Sequence, residues 1–460
     1  MRLPALLALL LLGCGTPQAL LPPPFGQIGD QSKRLFFPTG MAVTSDGKLL
    51  VANGNFSHAF EGGTLVSLAP SWIDSVFAAN QRCETVPIGT GAPCDIPIPQ
   101  SAFLGVVMIG NYAGPLTLDD SGTSAYTGSR DSNRLNGVSL LPDGSLYCRN
   151  GAITDTDCRG GVVDLAKAAT LDGPYAIVPG VGRIPGTDAD ARVLYVSALI
   201  PHIDQIQNGT LLTSATIAAL DMADPTQVLF SMLASSSLSA NGIGVGPMVF
   251  DGVRRQLLMS GCYQRFGSGT GGEPGSGKCS GFSTNILRVL DVDAGPAAAV
   301  RLYDISVAPS TGTTSGLLLG PDAPGTPART LWATVRNPDA LLEIDLPLLV
   351  SVAPSIRRII SLPASPADLV RIPRAGAADL IAVASSRLGA VVIYDSGARQ
   401  VLAQLERLGD TPYTIKSLPS PPGTARLAVS VFGDCRLAMV EVPLDKPWDA
   451  ALRGRAGTCP

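Results

Sequence analysis

The chain has 460 residues, of which 45% are hydrophobic and only 15% are charged, with 51 glycines and 38 prolines. Glycine and proline at this frequency interrupt helices, whereas short runs of Val, Ile, Leu and Thr between turn residues are typical of strands. We therefore predict an all-β fold. The net charge of -4 and the lack of basic runs remove the long-range attraction that concentrates proteins on phosphate backbones, so we exclude nucleic acid as a partner.

The amino terminus has the parts of a secretory signal peptide. Arg2 supplies a positive charge, Leu3 to Leu12 are almost all apolar, and the small residue Gly13 precedes Cys14. A transmembrane helix needs about 20 apolar residues, so this run is too short to be one. Residues 11–14, Leu-Leu-Gly-Cys, resemble the lipobox of bacterial lipoproteins, in which the cysteine is diacylated and the peptide is cut before it. The resemblance implies a signal peptide over 1–13 and a lipid on Cys14; ordinary secretion is the alternative.

The residues after the signal peptide form a predicted tether. Residues 15–24 are rich in proline, which favours an extended spacer over a helix or a central strand. We therefore assign residues 14–34 to the lipidated cysteine and its tether. In the lipoprotein family a residue other than Asp after the cysteine implies export to the outer membrane, and Gly15 stands at that position. The resemblance thus implies a protein anchored to the cell envelope through lipid, on its periplasmic or surface face.

The nine cysteines fit one lipid anchor and a set of disulfides. Without Cys14 eight remain, an even number in a compartment that permits disulfides. Other pairings stay open, and metal binding is the alternative, although no Cys-x-x-Cys spacing occurs and the two histidines are far apart in sequence. Neighbours along the chain give the preferred pairs, which are Cys83 with Cys94, Cys148 with Cys158, Cys262 with Cys279, and Cys435 with Cys459.

A strand, turn, strand pattern first occurs at residues 38–53. Two apolar runs flank Asp46-Gly47, a dipeptide typical of hairpin turns. The segment resembles the YVTN repeat of seven-bladed propellers, in which a Pro-x-Gly start, an Asp-Gly turn and an ending like Val-Ala-Asn recur once per blade. Weaker copies follow at irregular intervals. The seven units begin at Pro38, Gly114, Tyr175, Gly246, Leu317, Asp368 and Tyr413.

These units predict one β-propeller over residues 35–443. A blade cannot bury both faces of its sheet alone, whereas blades packed radially bury each face against a neighbour. We predict seven blades of four antiparallel strands; six or eight blades, or a pair of β-sandwiches, are the alternatives. The last unit lacks a fourth strand in this assignment, and residues 31–37 would supply it. Residues 444–460 then form a tail outside the repeats, with a helical turn at 447–452 and Cys459 tying it back.

No sequence motif specifies an enzyme. Residues 272–278 have the spacing of a phosphate-binding loop, but Cys279 replaces the Ser or Thr that holds Mg²⁺ and no helical pattern follows. The signatures of α/β-hydrolases, zinc proteases and c-type haem attachment do not occur. We therefore predict no catalytic residue, no cofactor and no metal ligand.

The loops after the second strand of each blade emerge on one face of a propeller, and we predict a binding rim there. Arginine forks match carboxylates, so a rim with several arginines suits an acidic or polar ligand. The predicted rim consists of His58, Glu61, Arg130, Asp131, His202, Asp204, Arg265, Arg336, Asn337, Arg387 and Asp434.

The sequence favours a binding or scaffolding lipoprotein whose partner is a protein, a glycan or a small ligand. The alternative is an enzyme resembling propeller lactonases or cofactor-dependent dehydrogenases, with a central acidic or Ca²⁺-binding pocket. A cluster of carboxylates in the central channel would favour the enzyme, and charges scattered on the rim would favour binding. A structural role in an envelope complex is a third reading, and the oligomeric state stays open.

Overall fold

The structure is a computed structural model that describes residues 33–90, 93–184, 187, 189–200, 202–207, 210–214, 216–233, 239–240, 245–264, 283–294, 301–305, 314–321, 328–347 and 352–459. In this part of the chain, seven sheets of four or five strands form the blades of a β-propeller around a central channel. Neighbouring strands within the blades are antiparallel, apart from one short strand added in parallel at an outer edge. The predicted all-β fold class and the seven blades are confirmed.

Blades 1 to 3 carry several insertions. Blade 1 consists of β1 (Pro38–Val43), β2 (Leu49–Asn53), β3 (Gly63–Leu68) and β5 (Phe103–Ile109), with β4 (Asp95–Ile96) in the connection before β5. Blade 2 consists of β6 (Thr117–Leu118), β7 (Ser124–Ser129) and β8 (Arg134–Leu140), with β9 (Leu146–Cys148) and β10 (Val163–Asp164) sharing the outer position. Blade 3 consists of β11 (Asp172–Arg183), β12 (Asp190–Ile200), β15 (Thr216–Asp221) and β16 (Val228–Leu233). A separate sheet contains β13 (His202–Gln207), β14 (Thr210–Ser214) and β17 (Ser239–Ala240).

Blades 4 to 7 each have four strands in chain order. Blade 4 consists of β18 (Val245–Asp251), β19 (Gln256–Gln264), β20 (Ser283–Asp291) and β21 (Arg301–Asp304). Blade 5 consists of β22 (Thr314–Leu319), β23 (Ala328–Val335), β24 (Ala340–Pro347) and β25 (Ser355–Ser361). Blade 6 consists of β26 (Pro366–Ile372), β27 (Leu380–Ser385), β28 (Ala390–Asp395) and β29 (Gln400–Leu405). Blade 7 consists of β30 (Pro412–Leu418), β31 (Thr424–Val431), β32 (Arg436–Pro443) and β33 (Ala451–Ala456).

Helices are short in the described residues. The two α-helices are α1 (Pro70–Ala78) and α2 (Leu165–Ala169), and the 3-10 turns are Gln100–Ala102, Cys158–Gly160, Val292–Ala294 and Pro447–Asp449. Proline at the start of α1 fits the first helical turn, where its missing N–H costs nothing. Among these described helices, none has the length and apolar character needed to cross a membrane.

The hydrophobic core lies between neighbouring blades. Every residue of β2 and β27 is buried, because these strands are covered by a sheet on each side. This explains why the sequence shows continuous apolar runs there instead of alternation. The outermost strand of blade 5, β25, instead alternates between exposed and half-buried residues. One core cluster joins Val66 of blade 1 to Met439 of blade 7, which closes the ring.

The inner strands begin with irregular pairing in six of the seven blades. The register against the second strand shifts between Pro174 and Ile177 in blade 3, and between Pro412 and Ile415 in blade 7. Comparable shifts occur in blades 1, 4, 5 and 6. Proline cannot donate to the ladder, so a bulge is its natural place in a strand, and bulges re-aim side chains. The residues after these prolines face the channel.

Buried hydroxyl groups on the second strands form hydrogen bonds with backbone groups of inner strands at these bulges. Ser197 accepts a hydrogen bond from the Ala176 N–H at 3.1 Å, and Ser430 accepts one from the Thr414 N–H at 3.0 Å. Thr334 donates to a backbone carbonyl of the neighbouring inner strand, that of Ala367, at 2.9 Å. Buried backbone groups must be paired, so these hydroxyls hold the inner strands in their irregular geometry.

A segment of blade 1 crosses to blade 7, and we call it the clasp: residues 79–98, described except for 91 and 92. The disulfide between Cys83 and Cys94 closes its loop. Its strand β4 pairs in parallel with β33, the outermost strand of blade 7. The Cys83 N–H donates to the Leu452 carbonyl, and the Arg455 N–H donates to the Cys94 carbonyl, each at 2.8 Å. The clasp therefore joins the first and last blades through backbone hydrogen bonds.

A buried arginine fixes the clasp to blade 7. The Arg455 side chain is fully buried, and its Nε donates to Asp95 Oδ1 at 3.1 Å. Its Nη atoms donate to the carbonyls of Val86, Pro87 and Arg407 at 3.0 to 3.3 Å. Arg436 reaches the same carboxylate oxygen at 2.8 Å. The charge of Asp95 is thus shared by two guanidinium groups at the junction.

The expectations for the end of the chain were partly wrong. The fourth strand of blade 7 is β33, within the segment 444–460 that was predicted to lie outside the repeats. The described part of the segment 31–37, residues 33–37, does not supply it, since Leu35 and Phe36 instead contribute buried side chains before β1 starts. Within β33, Arg453 pairs with Glu441 and Arg455 pairs with Asp95, so this strand is part of the packed blade. The predicted turn near 447–452 is present as the 3-10 turn Pro447–Asp449.

Three predicted disulfides are confirmed. They are Cys83 with Cys94, Cys148 with Cys158, and Cys435 with Cys459. The fourth predicted pair, Cys262 with Cys279, lies outside the residues whose side chains are described.

Candidate functional site

One face of the propeller carries the loops that follow the second strands. The start of each inner strand pairs with the end of the second strand, as Pro38 pairs with Asn53 in blade 1. The loops after second strands therefore lie on the same face as the connections between blades. We call it the mouth face, and its described loops include residues 54–62, 130–133, 336–339, 386–389 and 432–435.

The inner strands of all seven blades line a central cavity of about 520 Å³. Small-molecule sites typically have volumes of roughly 300 to 1,000 Å³. The described lining combines apolar side chains with a few charged and phenolic ones, a composition typical of ligand sites. The charged and phenolic lining residues are Arg130, Tyr175, Arg336, Asp368, Tyr413 and Lys416.

Two arginines enter this cavity from the mouth face. Arg130 follows β7 in blade 2, and Arg336 follows β23 in blade 5; both are half-buried. Arg130 Nε donates to the Tyr112 carbonyl at 3.2 Å, and Arg336 Nε donates to the Pro366 carbonyl at 3.0 Å. Within the described part of the chain, neither guanidinium makes another hydrogen bond or an ion pair. Each side chain is therefore held through Nε, and its two Nη groups have no hydrogen-bond partner among the described residues.

Aromatic side chains of the mouth face support Arg130. Its guanidinium carbon lies 5.2 Å from the centre of the Phe56 ring and 6.0 Å from that of Tyr112. The Phe56 ring packs edge-to-face on Tyr112 and on Phe432, with centroid distances of 4.8 and 5.0 Å. A cation over an aromatic face is attracted by the ring quadrupole. These rings therefore hold the Arg130 side chain near the cavity.

Two tyrosines from opposite sides of the ring meet in the channel. The Tyr175 hydroxyl of blade 3 lies 3.3 Å from the Tyr413 hydroxyl of blade 7. Burial, reinforced by Tyr413, raises the pKa of Tyr175 well above the ordinary value of 10, although the charge of Arg130 opposes the shift. The phenol of Tyr175 therefore stays protonated over the physiological range.

An acidic residue lies close to this pair. Asp368 accepts hydrogen bonds from the backbone N–H groups of Leu369 and Ile415 at 2.9 and 3.1 Å, and lies 3.6 Å from Lys416 Nζ. Among the described lining residues, three cations thus accompany one carboxylate. The channel lining is locally positive, although the chain as a whole carries a charge of -4. In the described residues, no group of three or more His, Cys, Asp or Glu is arranged to hold a metal ion.

The predicted rim residues separate into several groups. Arg130 and Arg336 line the cavity. Glu61 pairs with Arg159 at 3.5 Å, His58 hydrogen-bonds to the Tyr112 hydroxyl, and Asp434 accepts from the Asp410 N–H. Exposed residues on the mouth face that do not line the cavity are Asp131, Asn337 and Arg387. The side chains of His202 and Asp204, and all of Arg265, lie outside the described residues.

Sequence reasoning missed four lining residues because it looked for a site only in loops. Tyr175, Asp368, Tyr413 and Lys416 lie in inner strands. A signal was present for the first three, since each follows a proline at the start of an inner strand by one or two residues. A polar side chain placed there, where a bulge turns it toward the channel, marks a lining position.

Three solved structures are similar to this chain at low sequence identity. A protein from Lactobacillus plantarum matches with a TM-score of 0.45 and 13% identity, over 80% of this chain and 84% of that one. A periplasmic gluconolactonase of Pseudomonas aeruginosa matches with a TM-score of 0.47 and 13% identity, over 84% and 89%. Hydrazine synthase of Kuenenia stuttgartiensis matches with a TM-score of 0.37 and 10% identity, over 90% and 98%. No protein-family model and no curated protein matches the sequence.

Proposed function

We propose that this protein is an envelope-anchored binding protein whose propeller holds a small organic anion in its central channel. The observation that carries the proposal is the pair Arg130 and Arg336, which line one cavity and are each fixed through Nε on a backbone carbonyl. A guanidinium held in this way presents its Nη groups as a fork, which matches the two oxygens of a carboxylate.

The two arginine side chains are already held in place in the free protein, and this favours ligand affinity. Immobilising a flexible side chain at a binding site costs about 0.5 to 1.5 kcal/mol. Arg130 already has a hydrogen bond to Tyr112 and an aromatic ring under its guanidinium, and Arg336 has its hydrogen bond to Pro366. A ligand therefore meets donors that lose little freedom when it binds.

The charge and size of the cavity select the ligand class. Arg130, Arg336 and Lys416 outnumber Asp368 in the described lining, which favours an anion over a cation or a neutral molecule. A cavity of about 520 Å³ suits a metabolite-sized ligand. The half-buried charges are incompletely screened by salt, so we expect affinity to fall with ionic strength but not to vanish at physiological salt.

Export and anchoring form the second part of the proposal. The lipobox-like residues before Cys14 and the three disulfides both fit a protein that leaves the cytoplasm. The test is metabolic labelling of the full chain with an alkyne-tagged palmitate in a bacterial host. We expect the wild type to carry label in the membrane fraction and Cys14→Ser to carry none. Equal labelling of both proteins would contradict the anchor.

Thermal unfolding in the presence of matched ligands tests the binding site. A ligand that binds only the folded state raises the melting temperature. We expect millimolar phenylacetate to stabilise the protein, and phenylacetamide, which has the same shape without the charge, to have little effect. Arg130→Gln and Arg336→Gln should each weaken phenylacetate binding about tenfold or more, because a hydrogen bond to a charged group is lost. Arg387→Gln, on the same face but outside the lining, is the control.

Equal stabilisation by the acid and the amide would contradict this function. So would phenylacetate binding that survives the double substitution Arg130→Gln, Arg336→Gln.

A further inference from the structure

The Tyr175 and Tyr413 hydroxyls form a second polar region in the channel, distinct from the two arginines. The hydroxyls lie 3.3 Å apart and join blades 3 and 7. In such a pair one O–H donates to the other oxygen, so the accepting tyrosine keeps a free O–H, and both oxygens keep acceptor capacity. This tyrosine bridge, Tyr175 with Tyr413, is therefore able to donate to and accept from one further hydroxyl group.

Asp368 adds an acceptor close to the tyrosine bridge. Asp368 lines the same cavity as both tyrosines, and its Oδ2 accepts a hydrogen bond at 3.1 Å from the N–H of Ile415, two residues beyond Tyr413 in β30. Its carboxylate oxygens accept the N–H groups of Leu369 and Ile415, and an ionised carboxylate has about four lone-pair sites. The Asp368 carboxylate can therefore also accept a hydrogen bond from a ligand hydroxyl. A ligand carboxylate would not bind beside Asp368, because two carboxylates repel each other.

The side of the channel that blades 3 and 4 form is largely apolar. Lining residues there include Ile177, Val178, Pro247, Met248 and Val249. An apolar surface of this kind binds the hydrocarbon body of a ligand by removing it from water. The channel therefore combines a cationic region, a hydroxyl-binding region and an apolar wall.

We propose that the ligand of this channel is a hydroxy acid with an apolar body, and that Tyr175 and Tyr413 determine its specificity. The proposal rests on the proposed function, since Arg130 and Arg336 hold the carboxylate. The tyrosine bridge and Asp368 bind the hydroxyl group, and the apolar wall covers the body. A site built to hydrogen-bond a hydroxyl discriminates against an analogue that lacks it, because its buried polar groups would be left unpaired.

Calorimetric titration of the full-length protein in its disulfide-bonded form with three related acids tests this inference. Phenylacetate has the carboxylate and the ring, whereas mandelate and 4-hydroxyphenylacetate add one hydroxyl at different distances from the carboxylate. We expect at least one hydroxylated acid to bind about tenfold or more tightly than phenylacetate. In Tyr175→Phe and Tyr413→Phe this advantage should fall to about threefold or less.

A matched control separates specificity from stability. Tyr394 is a buried phenol of blade 6 whose hydroxyl has no hydrogen-bond partner among the described residues, and it does not line the cavity. Tyr394→Phe should leave all three affinities unchanged. The comparison of the three acids on wild-type protein requires no variant, so the inference remains testable if a tyrosine substitution prevents folding.

The outcomes distinguish this inference from the function on which it rests. If phenylacetate binds as tightly as both hydroxylated acids, the hydroxy-acid inference is overturned and the anion site stands. If the hydroxyl advantage persists in both tyrosine variants, the assignment of the tyrosine bridge is overturned. If none of the three acids binds, the proposed function itself fails, and the inference fails with it.

Discussion

The clasp and the central channel both depend on arginine, but they use it in opposite ways. Where the clasp meets blade 7, Arg455 of β33 is fully buried and donates to Asp95 and to three backbone carbonyls. In the channel, Arg130 and Arg336 are half-buried, and each has one described hydrogen bond, through Nε. A guanidinium whose donors end on the protein contributes to folding, whereas one with open donors contributes little to folding and can bind a ligand.

The largest effect on stability is expected from Arg455→Leu. The substitution leaves three backbone carbonyls without this donor and weakens the compensation of the Asp95 charge. Removing one partner of a buried ion pair typically costs about 3 to 5 kcal/mol. Urea unfolding followed by tryptophan fluorescence measures the loss. Arg387→Leu, at an exposed position, should change the free energy of unfolding by less than about 0.5 kcal/mol. An equally small effect at Arg455 would remove the contrast between the two regions.

The disulfide of the clasp provides the next test. Replacing Cys83 and Cys94 with serine should cost about 2 to 4 kcal/mol of unfolding free energy. The matched control replaces Cys148 and Cys158, whose sequence separation is 10 against 11 for the clasp pair. Loop entropy alone predicts nearly equal losses for the two pairs. We expect a larger loss for the clasp pair, because its loop also holds blade 1 on blade 7; equal losses would show that the disulfide acts through loop closure alone.

A third arginine cluster, around Asp251, tests whether buried arginines also stabilise the fold away from the clasp. Asp251 lies between two arginines: its Oδ2 is 2.8 Å from Arg254 Nη1, and its Oδ1 is 2.7 Å from Arg329 Nη1. Burial acts to raise the pKa of Asp251, but hydrogen bonds from Arg254 and the charge of Arg329 outweigh it and lower the pKa below 3.8. The ionised carboxylate therefore stabilises the fold above that value, and this contribution is lost as pH falls through the lowered pKa.

Asp251→Asn gives this cluster a measurable signature. The variant should be about 1 to 3 kcal/mol less stable than wild type at pH 7, because hydrogen bonds to a charged group are lost. The difference should narrow steadily in urea unfolding below about pH 4, as the wild-type carboxylate becomes protonated. A difference that is independent of pH would show that the charge of Asp251 does not stabilise the fold.

The smallest effect on stability is expected in the channel. Arg130→Gln and Arg336→Gln should each change the free energy of unfolding by about 1 kcal/mol or less, since each removes one described hydrogen bond of a half-buried group, and Arg130→Gln also removes the contact of the guanidinium with the Phe56 ring. The measurement is the same urea titration. A loss of about 2 kcal/mol would mean that these arginines stabilise the fold and would weaken their assignment to a ligand.

Local sequence patterns were sufficient to predict the blades. Proline or glycine at the start of inner strands, turns such as Asp46-Gly47, and apolar runs such as Leu380–Ser385 are all short-range signals. The clasp has no such signal. It joins residues 79–98 to β33 more than 350 positions later, and Arg455 looks like a tail residue until Asp95 is placed beside it. Long-range pairing of this kind is invisible to local patterns.

The site was predictable only where it coincided with loops. The repeat phasing assigned Arg130 and Arg336 to loops after second strands, because loop position follows from blade topology, and both residues line the cavity. The phasing could not show that Glu61 differs from these arginines. Glu61 is paired with Arg159, and that ion pair joins different blades. Tyr175 and Tyr413 were missed because a bulge, rather than strand alternation, turns them into the channel.

The most direct test of the anion site is a crystal structure of the protein soaked with 4-bromophenylacetate, with the bromine located by anomalous scattering. We predict that the bromine lies inside the channel and that a carboxylate oxygen lies about 2.7 to 2.9 Å from an Nη atom of Arg130 or Arg336. Bromine found only on the outer surface, at a concentration that saturates binding in solution, would contradict the account.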